Sequence, residues 1–327
     1  MPGSDVSWPV PLQRLTPWYA GQFGVPGTDS ERGLRMHSTG TVFYVDPNAV
    51  GVSDGRDGTN PDEPLATVAA ALTKCQPYRG DVIAVMANNA WQYGRVLDGY
   101  RLPISEEVVV TVPGVRIVGV CPSGANGVVW TPASNGGTCI TVNAIDVLIE
   151  GFFFTEGAFT GCNAIAADWN GTTTWGDNLT VRHCVFDDTV DTAISMDFVW
   201  YAHIHDSIFW ECDAYGIYVD PLGSGAAFCS IHDNLFQDCD VAMAMRGMDN
   251  SEIFANRIYN ANAQAPVAAT NEGIDLTNGL QNIVSDNWFS CRLPVAAPGD
   301  YADLNSAGAT DAWINNHLMN GEAVTNP

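Results

Sequence analysis

Val181–Phe186 reads VRHCVF, Ile204–Phe209 reads IHDSIF and Ile231–Phe236 reads IHDNLF. Each stretch sets an apolar residue before three mostly small or polar ones, then closes on two large apolar residues. The same pattern returns at Leu148–Phe153 (LIEGFF), Phe254–Tyr259 (FANRIY), Val284–Phe289 (VSDNWF) and Ile314–Met319 (INNHLM). Successive starts lie 33, 23, 27, 23, 30 and 30 residues apart. A second ladder keeps step with the first: AIAAD at 164–168, AISMD at 193–197, GIYVD at 216–220, AMAMR at 242–246 and GIDLT at 273–277. Its spacings are 29, 23, 26 and 31.

Two strand-like segments advancing together describe a coil of about 23 residues with loop insertions of variable length. A lone coil cannot bury its apolar face, but stacked coils share one core. Rungs would lie ~4.8 Å apart, and equivalent residues would form columns. Phe186, Phe209, Phe236, Tyr259 and Phe289 are expected in one column, and Ile165, Ile194, Ile217, Met243 and Ile274 in another. Glu150, His183, Asp206, Asp233, Asn256, Asp286 and Asn316 form a polar column suited to a turn or an outward position. A propeller needs a longer repeat, a leucine-rich repeat needs its Leu and Asn pattern, and a jelly roll would not keep two ladders in step.

The N-terminal half fits the same plan. Phe43–Val45 reads as a strand, 51–64 (GVSDGRDGTNPDEP) as a turn-rich loop, and Leu65–Lys74 as an amphipathic cap helix with Pro64 at its start. Strands follow at 80–85 and 115–120. The run FYVDPNAVGVSDGRDGTNPDEPLATVAAAL, followed by RGDVIAV, resembles the opening of right-handed parallel β-helix proteins of the pectate-lyase-like superfamily. It is also similar to openings of tailed-phage virion surface proteins. The resemblance spans roughly residues 41–320. It implies an all-β, single-stranded right-handed parallel β-helix of nine or ten coils, and a homotrimer. It does not fix an activity, because this fold hosts lyases, hydrolases, adhesins and structural virion parts. Residues 41–327 are therefore expected to form the β-helix, with the cap helix near 65–74. Residues 1–40, rich in Pro and aromatics, read as an extended arm that docks into a partner through Trp8, Trp18, Tyr19 and Phe23 or lies along the helix surface.

Composition narrows function. The 327 residues carry 13 Lys and Arg against 37 Asp and Glu, a net charge of −24, and Lys74 is the single lysine. Such a chain cannot lay a basic stripe on nucleic acid or on an anionic membrane. No apolar run reaches membrane-spanning length, and the N-terminus shows no secretory signal pattern. The nine cysteines are odd in number and lack any CxxC pair, which argues against zinc and for buried thiols.

Chemistry has one candidate column. Asp168, Asp197, Asp220 and Arg246 end successive rungs of the second ladder, so Asp197 and Asp220 would be neighbours with Arg246 one coil on. Close carboxylates could serve a glycan hydrolase or lyase. The alternative is a polar column leaving the core, with Arg246 offsetting acidic repulsion. The lyase signatures of the superfamily are missing. Asp188, Glu211 and Asp238 could stack into an acidic stripe for Ca²⁺, or form a solvated turn edge. His205 and His232 share a column, as do Cys212 and Cys239. Aromatics at 169, 175, 200, 201, 210, 215 and 218 fall in or beside turns, and Trp175, Trp210 and Tyr215 are the glycan-stacking candidates. Arg79-Gly80-Asp81 is read as a turn, not an adhesion signal. The expectation is a non-enzymatic structural or adhesive protein at a phage virion surface, contacting other virion proteins and a host glycan and needing no cofactor. A glycan depolymerase and a non-catalytic glycan-binding module are the alternatives.

Overall fold

The computed structural model describes residues 40–86, 103–120, 128–167, 176–187, 190–219, 225–260, 272–276, 278–291, 302–303 and 310–318. Three parallel sheets of ten, nine and eight strands build it. The first begins with Val42–Val45, Val82–Met86, Arg116–Val120 and Leu148–Glu150 and ends with Ile283–Ser285 and Ala312–Ile314. The second runs from Ile104–Ser105 to His317–Leu318, and the third from Val108–Val110 to Ala302–Asp303. From Leu148 on, the chain visits first, second and third sheet in turn and returns one rung higher. This is a right-handed parallel β-helix.

Like residues do stack above like. Phe154, Phe186, Phe209 and Phe236 are fully buried, with successive ring centroids 5.3, 4.7 and 4.4 Å apart and planes within 14° of parallel. In the third sheet Ile165, Ile194, Ile217, Met243 and Ile274 are successive partners. At three rungs the register differs by one residue from the expectation. Ile149, Ile253 and Trp313 stand in the column of Val181 and Ile204, not Leu148, Phe254 and Ile314. Ile258 therefore replaces Tyr259 in the phenylalanine column. Strand side chains alternate faces, and in these rungs both neighbours are apolar, so hydrophobicity cannot choose between them.

The expected polar column also divides. Its left-handed turn position holds Gly151, His183, Asp206, Asp233, Ala255, Asp286 and Asn315, all at φ 53–81°. Asn256 and Asn316 instead join Ser207, Asn234 and Asn287 one residue later, buried at the corner. There each Asn Oδ1 accepts the main-chain N–H of the rung before it: Ser207 to Asn234 at 3.0 Å, Asn234 to Asn256 at 3.1 Å, Asn256 to Asn287 at 2.9 Å and Asn287 to Asn316 at 3.0 Å. Each Nδ2 donates to a main-chain carbonyl, such as Ile231 from Asn256 at 2.9 Å. This ladder satisfies main-chain groups where the strands break for the corner.

The helix, Val68–Lys74, is shorter than expected because Leu65 still pairs with the first strand: its N–H donates to Tyr44 and it bridges Val45. Thr67 caps it, Asp54 accepts from Ala66 and Thr67, and the Glu106 carboxylate accepts from Val68 and Ala69. Val68, Ala71 and Leu72 join the common core, and the helix lies against Val108–Val110, the terminal strand of the third sheet. It thus covers an edge that would otherwise be open to pairing. Asp81 is buried and takes both the Arg79 guanidinium and the N–H groups of Thr41 and Gln76, so the Arg79-Gly80-Asp81 turn is sealed into the fold. Trp8, Trp18, Tyr19 and Phe23 of the arm lie outside the described residues.

Candidate functional site

One turn edge stands out by its backbone. Where the chain enters the first sheet, successive rungs place one residue in the left-handed region: Tyr78, Gly114, Asp146, Asn178, Tyr201, Phe228, Asn250 and Gln281, at φ of 57, 76, 60, 57, 61, 57, 50 and 61°. Main-chain hydrogen bonds hold them in one column, as from Asn178 N–H to the Trp200 carbonyl at 2.8 Å and from Tyr201 N–H to the Ala227 carbonyl at 2.9 Å. Glycine and short polar side chains suit that region, whereas a bulky side chain there costs about 1–2 kcal/mol. Tyr201 and Phe228, like Tyr78 at the start of the column, break the pattern. Their rings stack at 5.3 Å and 16°, and Trp200 meets Phe228 edge-on at 6.3 Å. The three are 43–49% exposed, so burial does not offset the backbone cost.

On the outer face of the first sheet, Glu150, Arg182, His205, His232 and Phe254 follow in register. His205 stacks on His232 at 4.9 Å and 3°, and His232 on Phe254 at 4.7 Å and 9°. Each histidine Nδ1 is held by the next aspartate, His205 by Asp206 at 2.8 Å and His232 by Asp233 at 2.9 Å. The bond to His205 is the main reason the Asp206 carboxyl sits below its ordinary pKa. Glu150 is buried and accepts from Arg182 at 2.9 and 3.1 Å, with His183 Nδ1 at 3.3 Å. Burial pushes its pKa up, but His183 and Arg182 outweigh that and hold it below the ordinary value. His203 is lowered by burial first, and then by the charges of His205 and His232.

The column ending in Asp197 and Arg246 keeps its register, since Met196, Val219 and Met245 are successive partners. Asp220 and Asp168 lie outside the described residues. Asp197 is half-buried, and the Arg246 guanidinium is turned to the next coil, where it pairs with the buried Asp275. Among the stacking candidates, Trp210 is half-buried with its indole N–H on Glu211 at 3.0 Å. Tyr215 lies 4.8 Å from Tyr218, and Trp175 lies outside the described residues. Phe228 was not singled out from the sequence. Its signal is position: it stands three residues before Ile231, as Tyr201 stands three before Ile204.

Glu211 and Asp238 share a turn column, with Asp188 outside the described residues. Among the described residues no group of three or more His, Cys, Asp or Glu is placed to hold a metal ion.

The chain is similar in fold to several solved structures. A rhamnogalacturonan lyase is 14% identical over 78% of this chain and 69% of its own, with a TM-score of 0.37. A DFA-IIIase from Arthrobacter chlorophenolicus A6 is 12% identical over 73% and 69%, with a TM-score of 0.40. ORF18 of Geobacillus virus E2 is 10% identical over 85% of this chain and 60% of its own, with a TM-score of 0.33. No curated protein matches the chain.

One family model, described as periplasmic copper-binding protein (NosD), matches residues 132–322. Copper is held by thiolate, thioether and imidazole donors. Here the described donors do not fit it. Burial pushes the thiols up, Cys184 to about 12 and Cys229 to about 11, and Met196, Met243, Met245 and Met248 are sealed in the core. The parallel rings of His205 and His232 set their free edges side by side instead of converging on a point. The match is one of chain architecture, and since it covers more than half of the sequence, the protein belongs to the NosD family.

Proposed function

We propose that this protein binds a glycan without transforming it, as an adhesive or structural surface protein of a phage particle would. One observation carries the reading: Tyr201 and Phe228, on adjacent rungs of the left-handed turn column, stack their rings beside Trp200, and all three rings are exposed. Backbone outliers of this kind cluster at functional sites. Flat rings beside Trp200 offer faces on which the apolar side of a sugar can rest. The β-helix supplies a rigid rod for that edge, since every rung is bonded to the next. An enzymatic reading is weakened by the ion pair between Arg246 and Asp275, which occupies the cation of the Asp197 column.

The test is a panel of bacterial surface glycans and plant polysaccharides offered to the full chain, with binding and product release both measured. The reading expects binding with no new reducing ends and no unsaturated product, and loss of binding in the Tyr201→Asn/Phe228→Asn double variant. Release of product, or undiminished binding by the double variant, overturns it.

A further inference from the structure

The same edge continues below the rings into an open cavity of about 280 Å³. Its wall includes Arg116, Thr180 and Arg182 from the outer face of the first sheet, and Asp146 and Asn178 from the turn column. Arg116 makes no ion pair or side-chain hydrogen bond among the described residues. Arg182 gives its Nε and one terminal nitrogen to Glu150, which leaves further donors over. Asp146, the acid in the wall, is already engaged by the Asn178 amide. Asn178 in turn donates its N–H to Trp200, so the cavity and the aromatic cluster are neighbours on successive rungs.

We infer that this cavity takes an oxyanion carried by the glycan, a carboxylate or a sulfate, so that the edge selects acidic over neutral saccharides. The inference rests on the glycan-binding reading above and adds the charge of the ligand. Two guanidinium groups on the wall of one groove, with the Thr180 hydroxyl on the rung of Arg182, suit a planar or tetrahedral oxyanion. The middle of the cavity lies between the rungs of Arg116 and Thr180, and the Tyr201–Phe228 pair lies two to three rungs above it. At ~4.8 Å per rung that is roughly 12 Å, the reach of a short oligosaccharide. The ligand is then an extended chain lying along the helix axis, with a ring on the aromatic pair and a charged group a few residues away. The net charge of −24 opposes any polyanion at long range. Selectivity must therefore come from contact, and it should persist at 0.15 M salt, where exposed charges are screened beyond ~8 Å.

The test takes the backbone that binds best in the glycan panel and titrates the full chain with three hexasaccharides: the uronate form, its carboxyl-reduced neutral form, and a sulfated neutral form. At 0.15 M salt either charged form is expected to bind at least about tenfold tighter than the neutral one, a difference of ~1.4 kcal/mol. Arg116→Gln should reduce that preference to within about twofold. Whichever charged form is preferred identifies the oxyanion. Equal binding of all three, or a preference that survives Arg116→Gln, overturns the inference while leaving the aromatic edge standing. Failure of the whole panel to bind removes the edge reading and the inference with it.

Discussion

Replacing Asn256 by Ala would test the corner ladder at its most connected rung. The side chain is fully buried. Its Oδ1 accepts from the Asn234 main-chain N–H and from Asn234 Nδ2, both at 3.1 Å. Its Nδ2 donates to the Ile231 carbonyl at 2.9 Å and to Asn287 Oδ1 at 3.0 Å. Alanine would leave the Asn234 N–H buried without its partner, whereas the Ile231 carbonyl, which stands in the sheet opposite Ile253, would lose only its second donor. Asn234 Nδ2 would keep its bond to Ile204, and Asn287 Oδ1 its bond from the Asn256 N–H. One orphaned group, with the further bonds lost to the Ile231 carbonyl and Asn287, gives a loss of about 1–3 kcal/mol. Asn256→Ser should recover part of it, because Ser207 fills the same column and accepts from the Cys184 N–H at 3.2 Å. The assay is urea unfolding, paired with hydrogen exchange at the Asn234 amide, since a solenoid responds locally. A loss below about 0.5 kcal/mol with unchanged exchange at Asn234 would refute the reasoning.

Three further outcomes follow from the same structure. Tyr201→Asn and Phe228→Asn should each leave stability unchanged or raise it by up to about 1 kcal/mol, since asparagine relieves the left-handed backbone at an exposed site; a clear drop in thermal midpoint would mean the rings serve the fold. Glu150 has a folded pKa below its unfolded one, so its contribution is present above the ordinary carboxylate pKa and is lost as pH falls through the folded value. Glu150→Gln should therefore flatten the acid side of a stability-against-pH curve, and an unchanged slope between pH 5 and 3 would count against the Glu150–Arg182–His183 cluster. The buried thiols of Cys75, Cys184 and Cys229, with pKa values pushed up to about 12, 12 and 11, should stay unlabelled by a thiol reagent at pH 8 until the chain is denatured; peptide mapping of the labelled native protein decides it.

Much of the architecture was legible because repetition is a strong signal. Phe186, Phe209 and Phe236 recur at matching offsets beside Ile194, Ile217 and Met243, and both columns are in the fold. The register at Leu148, Phe254 and Ile314 was not legible, because two adjacent apolar residues satisfy either phase of a strand. Phe254 faces outward for a reason sequence does not display, a stack on His232. The asparagine ladder was hidden by its chemistry: an amide beside a turn reads as solvated, and only three-dimensional stacking brings Asn256 under Asn234. The candidate edge was half visible. Trp200 and Tyr201 stood out as turn aromatics, but the positive φ at Tyr201 and Phe228 is a property of the backbone. Arg116 gave no sign at all, since what it meets depends on which face of a strand it occupies.

Hydroxyl-radical footprinting of the full chain, with and without a saturating glycan from the panel, addresses the central claim most directly. Trp200, Tyr201 and Phe228 should be strongly oxidised in the free protein and protected together in the complex. Protection of Trp210 and Tyr215 instead, with the three edge rings still reactive, would contradict the account.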